Sequence, residues 1–133
     1  MFFLYFIGID ISKYKHDCFI TTETGEVIVE NFSFQNTNEG LNQLLDLLKS
    51  LDCSKQFRIG FEATGHYGMN LKLFLEKNDY SFMEFNPNMV KQFIKSQTLR
   101  KTKADKKMPL GLLSILYLLI TNPIQNNFIT NFL

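Results

Sequence analysis

The chain reads Phe6-Ile7-Gly8-Ile9-Asp10 near its start and Phe57-Arg58-Ile59-Gly60-Phe61-Glu62 further along. Both stretches are short, mostly apolar runs that end on a carboxylate, and a carboxylate at the tip of a buried strand is costly unless a cation meets it. Neighbouring strands lie roughly 4.8 Å apart, and the ions of a two-metal nuclease site lie roughly 3.5–4 Å apart. The two runs therefore predict adjacent strands that hold a divalent metal at their tips, for chemistry on a phosphodiester.

The overall composition is that of an ordinary globular protein. The chain has 133 residues, of which 45% are hydrophobic and 20% charged, so one domain with a real core is expected. The apolar start lacks a basic flank and soon meets Asp10, which argues against a signal peptide. The apolar run 110–120 is too short to span a bilayer. Cys18 and Cys53 have no CxxC spacing, so we expect reduced thiols in a cytoplasmic protein without a membrane segment.

The small net charge of +1 hides an asymmetry along the chain. Residues 91–107 contain seven basic side chains and one acid, so this segment is +6 and the remainder is −5. The basic residues are Lys91, Lys95, Arg100, Lys101, Lys103, Lys106 and Lys107. Such a stripe is typical of contact with a nucleic-acid backbone. Composition alone leaves open the alternative that the stripe is a solvated helix face followed by a charged loop.

The pattern of apolar and turn residues predicts an alternating order of strands and helices. The predicted strands span residues 4–11, 16–22, 27–34, 56–62 and 80–85, and the predicted helices span 36–50, 67–77 and a stretch that begins at Pro87. Three antiparallel strands followed by strands joined through helices make a mixed α/β sheet. This order brings the first and fourth strands into contact, and with them the two acids.

The last part of the chain differs in character from the rest. Residues 4–107 form the predicted domain, whereas residues 108–133 contain no charged side chain and are interrupted by Pro109 and Pro123. Two interpretations stay open for this tail. It is either a segment with a buried helix over 110–120 or a degenerate, out-of-frame sequence that was never selected to fold.

Three acids are the candidate catalytic and metal-ligating residues, namely Asp10, Glu62 and Asp105. Each acid alone also fits a structural role, Asp10 as a turn cap and Asp105 as the ion-pair partner of a neighbouring lysine. The strand order favours the metal site because it brings the first two together. His16 and His66 are assigned to surface or turn positions rather than to catalysis.

Four motifs, taken in order, resemble the N-terminal RuvC-like domain of the DEDD transposases over roughly residues 5–107. The motifs are Gly8-Ile9-Asp10-Ile11-Ser12-Lys13, Glu62-Ala63-Thr64-Gly65-His66-Tyr67, Asn86-Pro87 with Lys91 and Phe93, and Leu99-Arg100-Lys101-Thr102-Lys103-Ala104-Asp105. The resemblance implies an RNase H-like (RuvC-like) fold, with a mixed five-stranded sheet and flanking helices. It also implies Mg²⁺ held by three Asp and one Glu, recombination of insertion-sequence DNA, a guide RNA and a homo-oligomer assembled on DNA. Asp10, Glu62 and Asp105 match three of the four family acids.

One departure from the family pattern bears on activity. The family continues Asp-x-x-Asp-Ala, whereas here Asp105-Lys106-Lys107 is followed by Met108-Pro109. The fourth acid is missing, and so is the C-terminal domain with the serine implicated in strand exchange. We therefore interpret the chain as a transposase fragment that is inactive alone.

Two other classes of function compete with the transposase fragment. The first is a non-catalytic nucleic-acid-binding or dimerisation module that uses the basic stripe of residues 91–107. The second is half of a sugar-kinase-like ATPase, because Gly8-Ile9-Asp10 also resembles the first strand of that superfamily. The chain lacks the Gly-rich phosphate turn after Asp10 and is far too short for that fold.

Overall fold

A computed structural model of the protein describes residues 2–63, 65–88 and 131–132. Its strands are β1 (Leu4–Ile11), β2 (Lys15–Thr22), β3 (Val27–Gln35), β4 (Gln56–Glu62), β5 (Phe82–Phe85) and β6 (Asn131–Phe132), and its helices are α1 (Asn38–Ser50) and α2 (Met69–Lys77). No helix within these ranges has the length and apolar character needed to cross a bilayer.

The strands form one mixed sheet in the order β3-β2-β1-β4-β5-β6. Strands β1, β2 and β3 are antiparallel neighbours, whereas β4 is parallel to both β1 and β5. The predicted five-stranded mixed sheet is confirmed, and β6 adds a two-residue antiparallel partner for β5. The helix predicted to begin at Pro87 starts at that residue, since Pro87 and Asn88 are helical, while its remainder and the interior of the tail lie outside the described residues.

Helices α1 and α2 pack on one face of this sheet. Their buried leucines recur at helical spacing and join the apolar side chains of β1 and β4 in a single core, as expected of amphipathic helices. The leucines are Leu41, Leu44 and Leu48 in α1, and Leu71 and Leu75 in α2. Burying each one contributes about 1.5–3 kcal/mol. Helix α1 begins where it does because the Thr37 hydroxyl accepts a hydrogen bond from the Gly40 N–H at 3.1 Å.

The face of the sheet opposite the two helices is also apolar where it approaches the acids. Phe6 and Phe19 are buried without joining the core beneath the helices. The Phe19 ring lies against the backbone of Gly8, which it faces across β1 and β2. A Cβ atom at Gly8 would stand 2.0 Å from Phe19 Cε1, so only glycine fits there without displacing the ring.

Candidate functional site

The first two candidate acids lie at neighbouring positions on parallel strands. Ile9 lies opposite Phe61 in the β1–β4 register, and Asp10 and Glu62 follow them by one residue. Because side chains alternate along a strand and the backbones of neighbouring strands are roughly 4.8 Å apart, the two acids share one face of the sheet. Ile9 and Phe61 belong to the core beneath the helices, so the acids point to the opposite face. The structure thus brings the two together, while their role as metal ligands stays a prediction.

A third carboxylate, which sequence reasoning missed, lies on the other side of Asp10. Asp17 in β2 is directly opposite Asp10 in the antiparallel register. The Ser33 hydroxyl of β3 donates a hydrogen bond to Asp17 Oδ1 and holds that side chain in place. The signal was present in the sequence, because a β1–β2 hairpin centred on the turn after Asp10 sets these two positions opposite each other.

Burial and a neighbouring charge together raise the pKa of Asp10, which lies between Asp17 and Glu62. Removal from water raises the pKa of Asp10, and the negative charge of Asp17 raises it further. A bound cation would lower that pKa again, because it favours the ionised carboxylate. The donors at this point are all carboxylate oxygens, which Mg²⁺ prefers. The side chains therefore fit a divalent metal in both charge and ligand type.

The described residues provide only part of a metal site. Within residues 2–63, 65–88 and 131–132, no three His, Cys, Asp or Glu side chains converge closely enough to hold an ion. Asp105, the third predicted ligand, lies outside the described residues, as does the whole basic stripe of residues 91–107. Their predicted roles in metal and nucleic-acid binding therefore stay predictions.

One asparagine connects the loops that follow the two acids. Asn36 Nδ2 donates to the carbonyl of Lys13, after β1, at 3.2 Å and to the carbonyl of Tyr67, after β4, at 3.3 Å. The backbone N–H of Asn36 donates to the Tyr14 carbonyl at 2.8 Å. Asn70 Nδ2 in turn donates to Asn36 Oδ1 at 3.4 Å. Asn36 therefore fixes the position of one loop relative to the other.

His16 supports the same turn from inside the protein. Its side chain is fully buried, and its ring lies edge-on to Phe34 with the ring centroids 5.4 Å apart. Its Nδ1 accepts a hydrogen bond from the Ser12 N–H at 3.2 Å. Burial lowers the pKa of His16, so the neutral ring that this bond requires is favoured. Among the described residues, Nε2 forms no hydrogen bond of ordinary geometry.

The sequence predicted surface or turn positions for both His16 and His66, and the structure places the two differently. Of the surface or turn positions expected for His16, the surface position is wrong, because its strand pairing turns the ring toward the core. The hydrogen bond from the Ser12 N–H does place it at the turn between β1 and β2. His66 is exposed in the loop after β4, where its ring centroid lies 5.0 Å from that of Tyr67.

Two solved structures of a Thermus thermophilus protein share this fold. The structure of T. thermophilus RuvC in complex with a Holliday junction substrate is 10% identical to this chain, with a TM-score of 0.53, and the match covers 98% of this chain and 99% of that one. A second Thermus thermophilus RuvC structure is 11% identical, with a TM-score of 0.55 and coverage of 97% and 99%. At this level of identity the likeness concerns the fold, which is RNase H-like.

The family is decided by the sequence comparison. None of the curated proteins matches the chain closely enough to be counted as a relative. A sequence profile of DEDD transposases of the IS110 type, described as transposase, matches residues 7–108, well over half of the 133 residues. The matched range runs from within β1 through β5 and includes both strand-end acids. The resemblance found in the sequence is confirmed, and the chain belongs to the DEDD transposase family.

Proposed function

We propose that this chain is a fragment of a DNA transposase in which Asp10, Glu62 and Asp105 hold Mg²⁺ for attack on a phosphodiester. The observation that supports this most strongly is the position of Asp10 and Glu62, side by side at the ends of parallel strands and on one sheet face. When bound, the metal would activate the attacking oxygen and stabilise the leaving one. The protein side chains hold the ion and orient the strand that is cut.

The proposed partners follow from family membership and from charge. We expect the basic stripe of residues 91–107 to contact the DNA backbone, because its seven cations suit phosphate contacts. A guide RNA, a homo-oligomeric state on DNA and a cytoplasmic location are further parts of this proposal.

The fragment is proposed to be inactive alone. Met108 stands where the family pattern has its fourth acid, and a thioether is a soft ligand that suits Mg²⁺ poorly. The alternative function, a non-catalytic nucleic-acid-binding or dimerisation module, is favoured by the same missing acid. Weak binding to DNA without strand exchange is expected on both interpretations, so metal binding separates them.

We also propose that a frameshift produced the tail. If the codon of Lys107 ends in G, the codons of Lys107-Met108-Pro109 read AAG-ATG-CCN, and the frame that begins at that G reads GAT-GCC, which encodes Asp-Ala. One lost A in the lysine run would then account for the missing acid and for the uncharged residues 108–133. Sequencing of the gene is the test. An AAA codon at Lys107, or a shifted frame that encodes no transposase-like domain, would exclude the frameshift.

Thermal unfolding in the presence of Mg²⁺ tests the metal proposal. An ion at about a hundred times its Kd stabilises the native state by about 2.7 kcal/mol, which raises the Tm of a chain of this size by on the order of 10 °C. We expect this rise in the unaltered chain and its loss in Asp10→Asn and Glu62→Gln. Asp46→Asn, which removes the same charge from an exposed position on α1, is the matched control and should keep the rise. A Tm that is insensitive to Mg²⁺ would exclude the metal site and leave the binding module.

A further inference from the structure

The turn between β1 and β2 exposes an aromatic ring between two lysines. Residues 12–15 are all exposed, and the Tyr14 side chain is 72% exposed, which is unusual for a large ring. Lys13 and Lys15 flank it in sequence, and neither ammonium group forms an ion pair with any residue in the described ranges. The turn therefore combines an open π face with positive charge that no acid of the described structure neutralises.

The backbone beneath this ring is held in place from several directions. The carbonyls of Lys13 and Tyr14 accept from Asn36, and the Ser12 N–H donates to buried His16. The Ser12 hydroxyl also donates to the carbonyl of Lys15 and closes the turn. A turn with this many bonds presents its side chains in a fixed position, so little backbone order is lost when a ligand binds.

The Tyr14 ring has one covered side and one open side. Lys13 Nζ lies 5.2 Å from the ring centroid, a distance at which a cation is attracted to the π face. The exposed remainder of the ring is free to stack on another planar group. A base is such a group, and the adjacent lysines suit the phosphates on either side of it.

The turn follows the first acid of the proposed metal site closely along the chain. Tyr14 follows Asp10 by four residues, so the two Cα atoms are at most roughly 14 Å apart. Asn36 also ties this turn to the loop after Glu62, as the shared bond to the Tyr67 carbonyl shows. A DNA strand positioned at the acids would therefore pass within reach of the ring.

We propose that the turn at residues 12–15 binds an unpaired segment of the DNA strand next to the acid pair, with Tyr14 stacking on a base and Lys13 and Lys15 contacting its phosphates. The inference rests on the proposed function, which supplies DNA as the substrate. Unpaired DNA is favoured over a duplex because paired bases already stack on one another and offer no free face to an exposed ring. A protein partner is disfavoured because the turn has a single ring between cations and no contiguous apolar surface.

The absence of tryptophan from the chain makes a direct test possible. Tyr14→Trp introduces one fluorophore at the turn, and Phe3→Trp introduces one at an equally exposed position, 71%, near the opposite end of β1. Titration with a single-stranded DNA oligonucleotide should quench the fluorescence of Tyr14→Trp and leave that of Phe3→Trp nearly unchanged. Equal quenching of both variants, or of neither while the chain binds the oligonucleotide, would overturn the proposal.

Affinity measurements with fluorescein-labelled oligonucleotides provide a second test. Loss of a stacked base weakens binding about 5- to 140-fold, so Tyr14→Ala should weaken the binding of single-stranded DNA within this range, whereas Tyr14→Phe should not. A plot of log K against the logarithm of the salt concentration has a negative slope. Lys13→Ala and Lys15→Ala should each make that slope shallower by about 0.7. Lys49→Ala, at an exposed position on α1, is the control that should leave the slope unchanged.

The same titrations separate this inference from the proposed function. If the unaltered chain binds neither single-stranded nor double-stranded DNA, the proposed function and the inference fail together. If it binds DNA but Tyr14→Ala binds equally well, only the turn proposal fails. If Tyr14→Ala weakens the binding of duplex DNA as much as that of single-stranded DNA, the assignment to unpaired bases is overturned. If it weakens the binding of single-stranded RNA alone, the assignment to DNA is overturned.

Discussion

Removal of the Asn36 side chain tests whether the two loops beside the acids depend on a single residue. Asn36→Ala deletes the Nδ2 donor that bonds the Lys13 carbonyl at 3.2 Å and the Tyr67 carbonyl at 3.3 Å, together with the Oδ1 acceptor used by Asn70. A hydrogen bond contributes a net 0.5–1.5 kcal/mol, roughly. The bonds to Lys13 and Asn70 are exposed, so water replaces part of their contribution. We therefore expect the free energy of unfolding to fall by about 1–2 kcal/mol.

Urea unfolding followed by circular dichroism measures this change, and two further variants sharpen it. Asn36→Asp keeps an acceptor but replaces the donor with a negative charge facing two carbonyl oxygens, so its loss should be at least as large. Asn42→Ala, at an exposed position on α1, is the control and should lose nothing, because alanine is the better helix former. An Asn36→Ala chain within about 0.3 kcal/mol of the unaltered one would refute the idea that the side chain holds the loops.

Three further predictions concern buried groups. Gly8→Ala should destabilise the fold by about 1–3 kcal/mol because its Cβ would overlap the Phe19 ring; unfolding of the Gly8→Ala, Phe19→Leu double variant should show that the two changes are not additive. Burial raises the pKa of the Cys18 thiol to about 12, so mass spectrometry after iodoacetamide treatment should find one adduct, on exposed Cys53, in the native chain and two in urea. Because the pKa of His16 is lowered in the folded state, the unfolded state binds more protons as the pH falls below its ordinary value of about 6.5. Stability should therefore be full above that pH and should decrease below it, with a smaller pH slope in His16→Phe.

The sequence by itself determined the elements and their order. The pattern of apolar and polar residues located all five main strands and both described helices within a few residues. It could do so because the spacing of buried side chains along a strand or helix is a local property of each segment. The strand order then placed Asp10 and Glu62 side by side, since a helix-linked strand returns parallel to its neighbour. The family resemblance came from short motifs, which need no tertiary structure to be recognised.

Only the tertiary structure decided what surrounds the acids. Asn36 reaches Tyr67 across thirty-one positions of sequence. The burial of His16 likewise depends on which side of β2 meets the helices, because one step in register turns every side chain of a strand to the other face. Periodicity shows that a strand has a buried side, but which polar groups meet there depends on pairing between segments that are distant in the sequence.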